Sequence, residues 1–416
     1  MKALLSVTFF TALLTFVRMA SGFLIVKVIA LYAGPAGIAM LGQLQSAITS
    51  MSGFVNAAAS SGVVRYTAEN KSKGFEICSL WWRASIQWIM VLCSIVIPIL
   101  ALLSPILSDW LFESREFYWL IIVTAVLLPV SALGTMATSI INGLENYRRY
   151  IVLGMLSAIF SSLVMVIMII KANILGALIA ASFQNALVGM IMIIGTSRQK
   201  WFKFSYFWGK VESVYRKDIG KYILMSATAA LTMPVALICI RNILVTYVGW
   251  EQAGYWQAVW KISEAYLAII TIALSTYYLP QLSKLTTFSD IKKEVHTTVI
   301  VLIPIVIVLS VLVYLLRDII IYILFTKEFI LARDLFSIQL IGDVFKILAW
   351  IFAFPMIARG ATKWYMLSEI IFSICFVGLS WLCIHLFDLQ GANIAYAINY
   401  IIYSIFMYAN MKRFCV

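Results

Sequence analysis

Long apolar runs separated by short polar stretches organise this chain. Each run is close to the roughly 20 residues that an α-helix needs to cross a hydrocarbon core. None alternates apolar with polar positions at a period of two, which excludes a β-barrel. The pattern predicts twelve spans, the first six at residues 3–31, 38–64, 82–104, 118–142, 150–170 and 174–195. The second six fall at 219–248, 255–281, 297–316, 335–358, 364–386 and 392–410. The expected fold class is therefore an all-α integral membrane protein. The first run starts behind Lys2 like a secretory leader, but it continues past Arg18 and Lys27 without a clean polar exit, so it reads as span 1.

The connections between spans alternate in character. One set comprises 65–81, 143–149, 196–218, 282–296, 359–363 and the two tails, and with its flanks it carries 21 of the 31 Lys and Arg. The other comprises 32–37, 105–117, 171–173, 249–254, 317–334 and 387–391, and carries only Arg115, Lys171, Arg317, Lys327 and Arg333. By the positive-inside rule the first set, with both termini, is cytoplasmic. The connection 196–218 is rich in Trp, Phe, Tyr and Lys and reads as an amphipathic interfacial linker. No connection has room for a soluble catalytic domain.

Composition narrows the function classes. Of 416 residues, 63% are hydrophobic and only 12% charged, against about 25% charged in a soluble domain. A soluble enzyme, a disordered chain and a disulfide scaffold are excluded. The net charge of +13 is mostly topology, so no nucleic-acid partner is inferred. Cys93, Cys239, Cys375 and Cys383 lie in apolar runs, and Cys78 and Cys415 beside basic segments. With no CxxC spacing, they read as small buried hydrophobes rather than disulfides or metal ligands.

Landmarks recur on either side of 196–218. Pro35-Ala36-Gly37 resembles Gln252-Ala253-Gly254. Pro98 and Ser104 match Pro304 and Ser310, Gly143 matches Gly360, and Gly176 resembles Gly391. The expected organisation is an N-terminal six-helix lobe (1–195), a cytoplasmic linker (196–218) and a C-terminal six-helix lobe (219–416). Parallel repeats of this kind place a substrate site between the halves near the bilayer midplane.

Charges inside spans are the candidate chemistry, because one at bilayer depth costs at least ~2.5–3.5 kcal/mol and normally faces a cavity or a partner. The basic ones are Arg18, Lys27, Arg241, Lys261 and Lys346; the acidic ones are Glu264, Asp343 and Glu369. Lys261 with Glu264, and Asp343 with Lys346, stand three residues apart and are open to local pairing. Arg18, Lys27 and Arg241 have no acid within one turn. An excess of cations in a cavity implies an anionic substrate such as phosphate or carboxylate. Span 2 is unusually polar, with Gly42, Gln43, Gln45, Ser46, Thr49, Ser50, Ser52, Gly53 and Asn56. This fits either a cavity wall or close helix packing. Pro98, Pro129, Pro234, Pro304 and Pro355 lie inside spans, where kinks suit gating but are also common in membrane helices. His296 and His385 fall near opposite faces. HExxH, GxSxG and P-loop motifs are absent, so no catalytic residue, metal or cofactor is expected.

Four stretches carry a family resemblance: "YAGPAGIAMLGQ" from Tyr32, "WQAVWKISEAYLAIITIALSTYYLPQLSKL" from Trp256, "LLRDIIIYIL" from Leu315 and "ARDLFSIQLIGDVFKILAW" from Ala332. Through them the chain resembles, over essentially its whole length, the Wzx-type flippases. These are the polysaccharide-transport branch of the MOP exporters, which also include the MATE transporters. The likeness is greatest to translocases of O-antigen and of enterobacterial lipid III, the common-antigen precursor. The resemblance implies two six-helix lobes around a cation-lined cavity in the bacterial inner membrane. It implies movement of undecaprenyl-pyrophosphate-linked oligosaccharide to the periplasmic leaflet, with membrane lipids, a polymerase and a chain-length regulator as partners. Lys27, Arg241, Glu264, Asp343 and Lys346 stand where members carry like residues, and Arg18 stands where a Lys occurs. Arg317-Asp318 and Arg333-Asp334 also fit, and read equally as structural ion pairs. Lys261 departs from the pattern and is read as following this chain's own sugar.

These readings combine into a flippase. Arg18, Lys27, Arg241, Lys261 and Lys346 bind the anionic substrate, and Glu264, Asp343 and Glu369 serve coupling or gating. Proton, lipid-gradient and membrane-potential drive are all open. Three rivals stand beside it: a MATE-like ion-coupled exporter of small amphipathic molecules, a membrane glycosyltransferase or polymerase, and a receptor without transport. Excess base argues against the first, and the lack of a large external loop against the second. The repeat and the buried charges argue against the third.

Overall fold

A computed structural model describes the backbone of residues 2–415 and the side chains of residues 10–415. Lys2 and the side chains of residues 3–9 of the first expected span lie outside the described ones. Among the described residues every regular element is helical. The first half of the chain folds into α1 (Lys2–Asn56), α2 (Ser61–Asn70), α3 (Phe75–Phe112), α4 (Tyr118–Gly143), α5 (Tyr147–Thr196) and the short α6 (Phe204–Phe207). Then come α7 (Ser213–Val248), α8 (Trp250–Ala273), α9 (Leu279–Lys284), α10 (Phe288–Leu324), α11 (Phe336–Ala358) and α12 (Thr362–Cys415). A helix satisfies its own backbone groups, which lipid cannot do. Nine stretches among the described residues are long and apolar enough to cross a membrane. The chain is a multi-pass membrane protein.

Helices overrun the predicted spans. α3 has 38 residues and is about 57 Å long at 1.5 Å per residue, nearly twice the ~30 Å hydrocarbon core. The 82–104 window marked its apolar part and not its ends. α10 likewise begins at Phe288 rather than 297. Between α8 and α9 the helix widens into a π-turn at Leu274–Tyr278, just before Pro280. The five prolines expected inside spans do lie inside helices.

Three long stretches are broken internally, each where a short connection was expected. α1 breaks at Gly34 (φ 62°, ψ −163°). The following Pro35 disfavours helical backbone there, and glycine alone takes this conformation without strain. α5 breaks at Ala172 (φ −139°, ψ 21°) and Asn173 (φ 49°, ψ −130°), and α12 at Phe387 (φ −133°, ψ 18°) and Asp388 (φ 49°, ψ −133°). The two breaks are the same turn to within a few degrees, and both use Asn or Asp, the side chains that best tolerate left-handed backbone. Three residues on, Gly176 and Gly391 rest against the carbonyls of Met168 and Cys383, eight residues back. In a straight helix eight residues span about 12 Å, so at both places the chain doubles back as a tight hairpin.

Some backbone landmarks recur at one spacing. Positive φ occurs at Gly34 and Gly249, at Glu145 and Gly360, and at Asn173 and Asp388; the members of each pair are 215 residues apart. Gly176 and Gly391 keep the same spacing of 215, while Gly143 and Gly360 stand 217 residues apart. The Pro98–Pro304 and Ser104–Ser310 pairs stand 206 residues apart, a different spacing from these backbone pairs.

Two compact units emerge: Met1–Tyr32 with Gln43–Val235, and Ala33–Gly42 with Ala236–Val416. In the first, Trp82 is fully buried and donates to Thr67 Oγ1 (2.9 Å), and Ser85 donates to the Ala58 carbonyl (2.7 Å). α4 and α5 touch through Gly134 and Gly189, backbone against backbone. The 196–218 linker lies on this unit: Trp201, Tyr206 and Phe207 pack around Trp82, and Trp88 donates to the Arg216 carbonyl (3.0 Å). In the second unit, the Pro35 carbonyl rests on Gly254, where a side chain would collide with it. α12 is tied to the start of α11 by Asn393, which donates to the Leu335 carbonyl (3.0 Å).

Candidate functional site

Helical spacing assembles a polar cluster in the second unit. Gln339, Asp343, Lys346 and Trp350 fall at i, i+4, i+7 and i+11 on α11, which is one face of a helix. Tyr396, Tyr400 and Tyr403 form a matching face on α12. α8 contributes Trp260, Lys261, Glu264 and Tyr266. α11 and α12 approach closely because residue 342 is glycine: any Cβ there would strike the Tyr396 ring.

Asp343 is fully buried. Its carboxylate accepts hydrogen bonds from Tyr266 Oη (2.7 Å), Tyr396 Oη (2.8 Å) and Gln339 Nε2 (3.3 Å). The donors come from three helices. Tyr266 also meets Ser310 of α10 (3.3 Å). A buried carboxylate is tolerated only when its lone pairs are filled, and here tyrosines rather than a cation fill them.

Lys346, also buried, has no carboxylate at ion-pair distance among the described residues. Its ammonium lies 5.2 Å from the Trp260 ring centre, 5.3 Å from Trp350, and 5.6 Å from both Tyr396 and Tyr400. All four are within the roughly 6 Å reach of a cation–π contact, which strengthens when the charge is desolvated. In place of the local pairing open to Asp343 and Lys346, the structure has a tyrosine-held aspartate beside a caged lysine. The electrostatic range of Lys346 takes in Asp343, Glu264 and Glu369.

The other i,i+3 pair does form: Lys261 Nζ meets Glu264 Oε2 at 3.0 Å, and Trp260 Nε1 donates to Glu264 Oε1 (3.0 Å). These side chains remain open, at 35% and 44% exposure. Arg241 is almost fully buried, and its Nε donates to Gln257 Oε1 (2.8 Å). Gly42 leaves the space that the Gln257 amide occupies. Glu369 is half-buried. The cluster thus has an open ion pair, a buried guanidinium and an enclosed Lys–Asp neighbourhood.

The remaining cations, Arg18 and Lys27, belong to the first unit. Arg18 is exposed, with its guanidinium beside Gly154, and Lys27 is half-buried. In span 2, close packing and local hydrogen bonds account for several of the polar residues. Gly53 receives Ala230, Ser50 and Ser52 donate to carbonyls one turn back (3.0 and 2.6 Å), and Asn185 donates to Ser52 (3.1 Å). Thr49 is the exposed exception. Arg333 pairs with Asp318 (3.4 Å), and Arg317 stacks on Tyr314 (4.1 Å). The cage residues Trp260, Trp350, Tyr396 and Tyr400 and the donor Tyr266 were not foreseen. The Lys346–Trp350 and Tyr396–Tyr400 spacings of one helical turn were the available signal.

No family model matches the chain. The lipid III flippases of Escherichia coli (strain K12) and Shigella flexneri are each 29% identical to it over 406 residues, covering 96% of this chain and 96% of the relative. An inward-facing multidrug resistance MATE family transporter of the MOP superfamily superposes with a TM-score of 0.75 at 13% identity, over 96% of this chain and 95% of the other. The lipid II flippase MurJ, in an inward closed conformation, also gives 0.75, at 14% identity over 98% and 87%. The fold is that of the MOP superfamily transporters, and along its whole length the sequence is similar to lipid III flippases.

Proposed function

We propose that this chain is a flippase for undecaprenyl-pyrophosphate-linked oligosaccharide, an O-antigen or common-antigen repeat unit. It moves this substrate from the cytoplasmic to the periplasmic leaflet of the bacterial inner membrane. The observation that carries this is end-to-end similarity to lipid III flippases at 29% identity. Each broken stretch counts as two spans, giving twelve in two six-helix halves, 1–195 and 219–416. Both termini are cytoplasmic, as the Lys and Arg bias favours. Transport proceeds by alternating access and involves no catalysis by the chain; a polymerase and a chain-length regulator are the partners that use the product.

Intramembrane charge supports an anionic substrate over the cations of a MATE-like exporter: Arg18, Lys27, Arg241, Lys261 and Lys346 outnumber Glu264, Asp343 and Glu369. The open Lys261 meets the pyrophosphate, and the buried Arg241 joins it once its surroundings open; Arg18 and Lys27 are the cations that the first unit offers to the same anionic chemistry. Lys346 is enclosed, so it acts on the substrate only when its cage opens. Asp343, Glu264 and Glu369 couple that opening to the driving force.

Complementation tests the reading. In a strain lacking its own lipid-linked oligosaccharide flippases, the chain restores surface polysaccharide. Arg241→Ala abolishes the restoration and Arg241→Lys keeps part of it, at equal membrane expression. Failure to restore any of several glycan pathways, despite normal insertion, would transfer the assignment to the drug-exporter reading.

A further inference from the structure

A cationic cavity lies where the 196–218 linker meets α3. It measures about 330 Å³ and is lined by Arg83, Gln87 and Met90 of α3 and by Trp208, Gly209 and Lys210 of the linker. Such a volume sits at the small end of the ~300–1,000 Å³ typical of ligand pockets. It has room for a headgroup but not for a glycan. Arg83 Nη2 donates to the Ser205 carbonyl (2.6 Å), which fixes the guanidinium at the wall. Gln87 Nε2 reaches the Gly209 carbonyl (3.4 Å). Among the described residues neither Arg83 nor Lys210 has a carboxylate at ion-pair distance.

Two further features bear on the occupant. Gly209 has φ 145°, a conformation open to glycine, and a Cβ there would come within 3.2 Å of Arg83 Nη1. The pocket wall thus depends on a residue without a side chain. Beside it, Phe204 and Trp208 stack with ring centres 6.0 Å apart and are 77% and 57% exposed. Exposed aromatic rings next to a membrane helix mark the headgroup level of a bilayer. Uncompensated cations at that level attract anionic lipid.

We propose that this cavity is a binding site for the phosphate of an anionic phospholipid headgroup. Arg83 and Lys210 contact the phosphate, Gln87 donates to the ester oxygens, and the acyl chains pass Met90 and the Phe204–Trp208 pair. The site shares no residue with the cations assigned to the substrate, and it holds the linker at the membrane surface.

The test uses the full-length protein in nanodiscs of phosphatidylglycerol or phosphatidylcholine, with lipid retained on release counted by native mass spectrometry. Wild type keeps phosphatidylglycerol preferentially. The Arg83→Gln/Lys210→Gln double variant loses that preference by about 30-fold. Arg83→Lys/Lys210→Arg preserves it, and Arg198→Gln/Lys200→Gln, elsewhere on the linker, leaves it unchanged. Gly209→Ala lowers it by displacing Arg83. Added inorganic phosphate does not compete, because the lipid is also held by its chains. Three outcomes would overturn the proposal: equal retention of both lipids, no difference between wild type and the double glutamine variant, or displacement by inorganic phosphate, which would assign the site to a free anion. The readout involves no transport, so it stands or falls independently of the flippase assignment.

Discussion

Lys346 and Asp343 are two buried charges one turn apart that do not neutralise each other by contact. Four rings enclose the ammonium and two phenols hold the carboxylate. If the cage exists only for stability, removing the charge should unfold it; if the charge is there for transport, removing it should spare the fold. A buried ion replaced by an apolar side chain of similar volume is often neutral or stabilising by about 1–4 kcal/mol. Lys346→Met should therefore keep or raise the Tm while cutting polysaccharide export at least about tenfold. Tyr396→Phe should do the reverse in stability. It keeps the ring but removes a donor from a buried carboxylate, at a cost of about 1.5–3 kcal/mol, visible as a lowered Tm. A Lys346→Met protein that melts early yet transports normally would reject the functional role. The same residues mark the limit of sequence reading. Lys261–Glu264 and Asp343–Lys346 have identical spacing, yet only the first forms an ion pair. Tyr266 and Tyr396 capture Asp343 from 77 and 53 residues away, and local spacing carries no trace of that competition.

At the scale of elements, the hairpin turns inside α5 and α12 were readable as positions but not as shapes. Hydropathy dips at 171–173 and 387–391 gave the breaks, because a polar residue between two apolar runs is a local signal. The left-handed Asn173 and Asp388, and the glycines that follow, became legible only as geometry, since the constraint at Gly391 is the carbonyl of Cys383 on the outgoing helix. α12 offers its own control. A Cβ at Gly391 would overlap the Cys383 carbonyl, whereas one at Gly378 meets nothing within 4 Å. Gly391→Ala should destabilise by at least about 1–3 kcal/mol, the usual cost of overpacking. Gly378→Ala should be neutral or gain up to about 1 kcal/mol, because glycine is the weaker helix former. Thermal unfolding of the two variants in one detergent checks both. Equal Tm values would mean the hairpin is not closed as described.

For the whole molecule, the proposed orientation rests on where the positive charge lies. On the sparse side two of the five cations are ion-paired, Arg115 with Asp109 (3.8 Å) and Arg333 with Asp318 (3.4 Å), and Arg317 is stacked on Tyr314. On the rich side, Arg65–Glu69, Lys71–Glu145 and Lys221–Asp218 pair, and among the described residues most of the other cations have no acid at ion-pair distance. Lys and Arg near span ends set topology while acids contribute little, so pairing does not weaken the bias. The linker belongs to the same argument, because Arg83, Lys203 and Lys210 are on the rich side and its aromatic residues dock it on the first unit. A phosphatase that is active only in the periplasm should be silent when fused after Arg413 and active when inserted between Lys327 and Arg333. A reporter that fluoresces only in the cytoplasm should give the opposite pattern at the same two sites. The inverse result would place the linker and its cationic cavity on the outer face. Substrate would then have to arrive from the periplasm, and the direction of transport assigned to this chain would be wrong even if its substrate were right.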